Sequence, residues 1–450
     1  MLLTLLNTAR AAACLTITDV AVFEPDSAAL LPLRQDVRVC GDRIDSVTPH
    51  DTTIGYGEMM DGAGMTLLPG LVDLHTHIAG TPAPPWDLAR PDVAGSLSAW
   101  LQAGVTTILE LGGTRSTPRW AKRTATDPHR GPTIRHAGIR LAPPSGHLAY
   151  TMRQMARDSF GFLGPLAGGL VSRPMTHVVR SVKDAHRAID KNVEMGARFT
   201  KLDVEPAPGN ARGMPPELMR AIAAHADAVG APAVAHVGGP EDTAAALDAG
   251  IRIFAHSVNT ASMPDALIDR MVAEDATVIS TLILPVVMTE MADGEWQPSQ
   301  LDVKLNDTHT LALVTGRAGE AWRDSHHSIV DWIGELAGGW AAQNLARMRE
   351  RGVTVLPGTD AVIPASLPGA GLHRELALLV ERAGYTPSEV LAAATGGAAT
   401  LLGEADNIGR VAPGMQADLL LVEGDPTDSI EQLSNIVVTW RAGVAVSSGR

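Results

Sequence analysis

The middle of the chain holds eight short apolar or β-branched runs, at 71–78, 105–111, 133–139, 199–204, 232–237, 252–257, 277–284 and 353–360. Stretches rich in Ala and Leu, such as 215–229 and 242–249, separate most of them. Parallel strands need long crossovers, usually helices, and this alternation supplies them. Eight such units in succession predict an α/β protein built on a closed (β/α)₈ TIM barrel. The helix over 388–402 is announced by Thr386-Pro387-Ser388-Glu389, a capping box with proline at its first position. Two connections are unusually long, 140–198 and 285–352; after barrel strands such segments lie over the catalytic face. The second carries Trp296, Trp322, Trp332 and Trp340, read either as packing for helical insertions or as a lid over an apolar pocket.

Short alternating runs flank this middle, at 15–23 and 36–47 with a Gly41-Asp42 turn, and at 417–422 and 435–445 after Gly424-Asp425-Pro426. Neither end has enough strands to bury a face alone, so the two are expected to meet in one small β-sandwich. The resulting division is 1–66 and 405–450 for the sandwich and 67–404 for the barrel.

The 450 residues suit a large barrel with a smaller unit, and 45% hydrophobic content permits a substantial core. A net charge of −14 argues against nucleic acid or an anionic membrane as a general partner. Nothing approaches the roughly 20 uninterrupted apolar residues of a membrane span. Cys14 and Cys40 lack metal-type spacing, so reduced thiols, no disulfide framework and a cytoplasmic location are expected. The first residues, up to Cys14, read as a short helix or arm, with only a faint likeness to a lipoprotein signal.

Chemistry concentrates in Leu68-Pro69-Gly70-Leu71-Val72-Asp73-Leu74-His75-Thr76-His77. Residues two apart on a strand face one side, so His75 and His77 make half of a metal cage. Lys201, His236, His256 and Asp360 lie at or near the ends of four further strands, where barrel enzymes place functional groups. A buried lysine cation is costly unless paired, with Asp203 for instance, or carboxylated to an anionic carbamate that bridges two metals. Singly, His236 and His256 could be core histidines and Asp360 a helix cap. Jointly, on the right strands and in the right order, they point to a metal site.

In these motifs the sequence resembles the amidohydrolase superfamily, most closely its imidazolonepropionase-like and prolidase-like branch. Further matching stretches are 104–113, 196–202, 234–257, 356–360 and 408–419. The resemblance implies two divalent ions, zinc first and cobalt or manganese as alternatives. It implies His75, His77 and Asp360 on one ion, His236 and His256 on the other, and a CO₂-derived carbamate on Lys201 bridging them. A hydroxide between the ions would be the nucleophile, with Asp360 as general base and then acid. His147, in Ser145-Gly146-His147, would orient the substrate or stabilise the oxyanion, although Pro143-Pro144 before it and Leu148 after it depart from the family's pattern. Tyr150 and Arg140 are further substrate-binding candidates, Arg140 through a carboxylate. The implied reaction is hydrolysis of a C–N bond in a small amide, dipeptide, N-acyl amino acid, carbamate or aryl-urea. Alternatives are a cyclic amidohydrolase of the imidazolonepropionase type or a non-catalytic assembly protein. Association into a homo-oligomer is also expected.

Overall fold

The structure of the chain is a computed structural model describing residues 14–52, 57–81, 91–144, 146–147, 173–205, 213–293, 295–315, 339–362 and 366–446. The N-terminal arm, Tyr150, Trp322, Trp332 and the lipoprotein-like stretch before Cys14 lie outside the described residues.

The first strands are β1 (Cys14–Glu24), β2 (Ala29–Leu30), β3 (Gln35–Cys40), β4 (Arg43–Pro49), β5 (Glu58–Asp61) and β6 (Met65–Pro69). The central ones are β7 (Leu71–Thr76), β8 (Val105–Glu110), β9 (Thr133–His136), β10 (Arg140–Ala142), β11 (Thr176–Val178) and β12 (Thr200–Asp203). They continue with β13 (Ala233–His236), β14 (Ile253–Ala255), β15 (Thr277–Ser280) and β16 (Thr354–Pro357). The chain ends with β17 (Leu419–Glu423), β18 (Ile436–Arg441) and β19 (Val444–Val446).

Strands from both ends join one sheet in the order β19-β18-β17-β6-β1-β3-β4, with β2 and β5 also on β1. The junction is the antiparallel pair β6–β17, where Leu68 faces Leu420. Thr66 Oγ1 reinforces it by donating to the carbonyl of Gly424, 358 positions away. Alternate residues of these strands, among them Ile17, Val37, Val39, Leu67, Leu419, Leu421 and Trp440, form a separate apolar cluster. Antiparallel pairing of β1 with β3 sets Cys14 opposite Cys40, with Cα atoms 4.3 Å apart, and the two sulfurs are bonded. This corrects the expectation of reduced thiols. Strand register, which spacing along the chain does not disclose, brings the cysteines together. The cysteine argument for a reducing compartment lapses with it.

The central strands are parallel. Seven follow the order β11-β10-β12-β13-β14-β15-β16 and three the order β7-β8-β9. Every residue of β7 and β8 is buried, as expected where both faces of a parallel sheet are covered. The amide of Arg198, before β12, donates to the His136 carbonyl at the end of β9 (2.9 Å). At the other margin the Asp360 amide, beyond β16, donates to the His75 carbonyl (2.8 Å), and Thr76 bridges to Ala361. Helices Pro216–Ala228 and Pro240–Asp248 link successive strands where the sequence predicts them. The Thr386 hydroxyl accepts the Glu389 amide while Glu389 accepts the Thr386 amide, so the capping box forms as read.

Two stretches differ from expectation. The run 277–284 is strand only to Ser280, because a helix, Ile283–Asp293, begins inside it. The connection 140–198 contains β10, β11 and the helix Val182–Glu194, and β11 adds to the sheet beside β10. In the second long connection, Trp296 is buried in the main core while Trp340 is exposed. Among the described residues no helix is long and apolar enough to cross a membrane.

Candidate metal centre

Alternation along β7 aligns Asp73, His75 and His77. Asp73 anchors the row by accepting from Trp100 Nε1 (3.2 Å), Thr359 Oγ1 (2.7 Å) and the Thr359 amide (3.1 Å). The last two bonds hold the segment after β16 against β7, which delivers Asp360 to the histidines. Asp360 Oδ1 lies 3.1 Å from His75 Nε2 and 2.7 Å from His77 Nε2. Two glycines permit this closeness: a Cβ on Gly358 would stand 2.7 Å from His75 Cβ, and one on Gly112 2.5 Å from His77 Cε1. Asp360 (φ 57°) and His256 (φ 79°) both occupy the left-handed backbone region that non-glycine residues seldom adopt, a strain that collects at functional sites.

The neighbouring strands bring the remaining groups. Lys201, in β12, is fully buried and its Nζ has no hydrogen-bond partner. It is close enough to couple electrostatically with His75, His236, His256 and Asp360. His236 ends β13; its Nε2 lies 2.9 Å from Glu205 Oε1, while its Nδ1 is buried without a partner. His256 follows β14 and sets Nδ1 2.9 Å from Thr281 Oγ1. Its ring centroid is 4.7 Å from that of His75 and 4.3 Å from that of His236.

His147 joins the second half of the site, with Nδ1 2.7 Å from Glu205 Oε1 and its ring 4.6 Å from His236. Arg140 is buried, with its guanidinium 3.5 Å from Asp203 Oδ1. Asp203, the alternative partner weighed for Lys201, thus faces Arg140. Among the described residues, two groups have donor atoms close enough to hold an ion: His75, His77 and Asp360, and His147, Glu205 and His236.

Burial, aided by Lys201, keeps His75 well below the usual imidazole range, and burial with His236 does the same to His256. His236 is lowered too, chiefly by burial. Burial alone would raise Asp360, but the His75 and His77 rings outweigh it and hold the carboxyl well below its ordinary value. Burial and the Arg140 charge pull Lys201 down to about 7. Three imidazoles held low, a fourth, His77, raised despite its burial by the Asp360 carboxylate it meets, and buried nitrogens without partners form a donor set that fits divalent cations.

Sequence reasoning missed Glu205, Glu110 and Thr281. Glu205 was legible, standing four positions after Lys201 and so on the same side of an extended chain. Glu110, 3.6 Å from His77 Nδ1 and inside the matching stretch 104–113, and Thr281 touch the site through histidines.

Comparison with known proteins accords with this geometry. The amidohydrolase family profile matches residues 66–446. An ochratoxinase of Aspergillus niger is 24% identical over 442 residues, covering 92% of this chain and 83% of that protein. An imidazolonepropionase of Rubrobacter xylanophilus is 27% identical over 396 residues, covering 86% and 84%. A prolidase solved in complex with N-methylphosphonate-L-proline superposes with a TM-score of 0.74 at 20% identity, covering 96% of this chain and 99% of the other. The family match spans most of the sequence, and with its named enzyme relatives it establishes that this chain belongs to the amidohydrolase family and is a hydrolase acting on carbon–nitrogen bonds.

Proposed function

We propose that the chain is a binuclear metallohydrolase that cleaves the C–N bond of a small amide, dipeptide, N-acyl amino acid, carbamate or aryl-urea. In this reading the two parallel sheets close into a (β/α)₈ barrel over 67–404, and 1–66 with 405–450 form a β-sandwich. His75, His77 and Asp360 would hold one divalent ion and His236 and His256 the other, with Lys201, carboxylated by CO₂, between them. Zinc fits the donors first, cobalt or manganese next. Bound there, the ions would supply a hydroxide nucleophile near neutral pH and polarise the scissile carbonyl.

The chain's own groups perform the proton work. Asp360, kept ionised by the two histidines, accepts the proton of the attacking water and returns it to the leaving nitrogen. Lys201, lowered to about 7, has a substantial neutral fraction at physiological pH, and only the neutral amine takes up CO₂. His147 is raised, because Glu205 outweighs the opposing effect of burial, so it stays an N–H donor for the oxyanion that develops on the substrate.

One observation carries this reading: imidazoles, a lysine and a carboxylate from five separate strands share one buried cluster, where polar nitrogens stand without hydrogen-bond partners. Metal analysis is expected to give two ions per chain, and exhaustive chelation to abolish turnover of dipeptides, acyl-amino acids, carbamates or aryl-ureas. Full activity after chelation would reject the proposal. The imidazolonepropionase relative favours a second reading, opening of a cyclic amide, which the same screen separates with a lactam-type substrate.

A further inference from the structure

We propose that Glu205 is the positioning residue of the second cation site, one carboxylate oxygen orienting both the His236 ligand and the substrate-facing His147. The inference rests on the binuclear reading above and deepens it. Glu205 Oε1 lies 2.9 Å from His236 Nε2 and 2.7 Å from His147 Nδ1, and the residue is almost fully buried. An ionised carboxylate only accepts, so the proton of His236 sits on Nε2 and the lone pair on Nδ1. That Nδ1 is the buried ring atom left without a partner.

His256 has the complementary arrangement. Its Nδ1 meets Thr281 Oγ1, which leaves Nε2 as the ligand atom. The two histidines of this half-site therefore offer opposite nitrogens, and for His236 the outer carboxylate also selects the tautomer. Glu205 can reach its place because the ladder continues beyond β12: the Val204 amide donates to the His236 carbonyl (3.1 Å). Gly238 leaves the room, since a Cβ there would stand 2.0 Å from Glu205 Oε2. Glu205 also ties substrate placement to cation retention, because moving it releases His147 and His236 together.

The test measures ion stoichiometry and chelator-competition affinity on zinc-loaded wild type, Glu205→Gln and Gly238→Ala, with KM and metal-free thermal unfolding alongside. Wild type is expected to hold two ions. Glu205→Gln should weaken one of them about 10–100-fold, leave the other at wild-type affinity, and raise KM. Gly238→Ala, which displaces the carboxylate without removing it, should shift the same ion and KM in the same direction by less. It also serves if Glu205→Gln does not fold.

Unchanged affinity for both ions in the variants would overturn the proposal. So would parallel loss of both ions with a lowered metal-free melting temperature, the signature of a merely structural carboxylate. A third ion in wild type that Glu205→Gln loses would make His147, Glu205 and His236 a metal site and overturn it as well. A wild type that takes up no ion would instead sink the underlying binuclear reading, and this inference with it.

Discussion

The mouth of the candidate metal centre and the terminal sheet both join distant parts of the chain, but they are built on opposite principles. The sheet is closed by ladder hydrogen bonds, an apolar cluster and a disulfide. The mouth concentrates charge, leaves buried nitrogens unpartnered and holds two ligand candidates in left-handed backbone. Such a region is stable only because its surroundings over-determine it. The contrast implies that function and stability respond to different substitutions.

The largest effect should come from the mouth. Asp360→Asn and His75→Ala are expected to lower kcat by about 10²–10⁴ or more, with melting temperature of the metal-free protein little changed. Near-normal turnover of metal-replete Asp360→Asn would remove its proton-transfer role. In the sheet the reverse is expected. Replacing Cys14 and Cys40 together by Ser opens a loop of 26 positions and should cost roughly 3 kcal/mol of stability, read by denaturant unfolding, while kcat stays at the wild-type value. A collapse of kcat in well-folded double variant would show that the two regions are coupled.

The next effect in size belongs to Glu375, a buried carboxyl that accepts from Ser280 Oγ (2.6 Å), the Leu282 amide (3.1 Å) and the Ile283 amide (2.6 Å). Burial pushes it up to about 7. The native protein then keeps a proton that the unfolded chain releases above its ordinary value near 4.5. This stabilisation is complete below about pH 4.5 and is lost as pH rises through about 7, a decline of roughly 3 kcal/mol. Comparing urea midpoints at pH 5 and pH 8 should show a shallower decline for Glu375→Gln than for wild type; parallel pH profiles would refute the assignment.

The smallest effect belongs to His50 on the terminal sheet. Its hydrogen bond to Asp36, 2.7 Å, raises its pKa. The contribution is present below about pH 6.5 and fades as pH passes the raised value. Titration followed by NMR should show that raised value return toward the ordinary one in Asp36→Asn.

Much of this was legible because strand period and motif order report on local geometry. Asp73, His75 and His77 fall on one face by counting in twos, and the Thr386 capping box forms where its four residues predict it. What stayed hidden is non-local or ambiguous in pattern. An apolar run does not distinguish strand from helix, so 277–284 hid the start of Ile283–Asp293. Cys14 and Cys40 meet through strand register, and β11 is three residues inside a long connection. Arg140 reads equally well as a carboxylate binder; only the fold shows Asp203 beside it.

The β6–β17 seam has a consequence for biosynthesis. Thr66 waits for a carbonyl 358 positions downstream, so the early strands leave the ribosome long before their partner exists. Their edge remains open throughout elongation, the condition under which strands recruit foreign chains. Completion of this sheet is therefore a late event in synthesis, and high contact separation makes it a slow one.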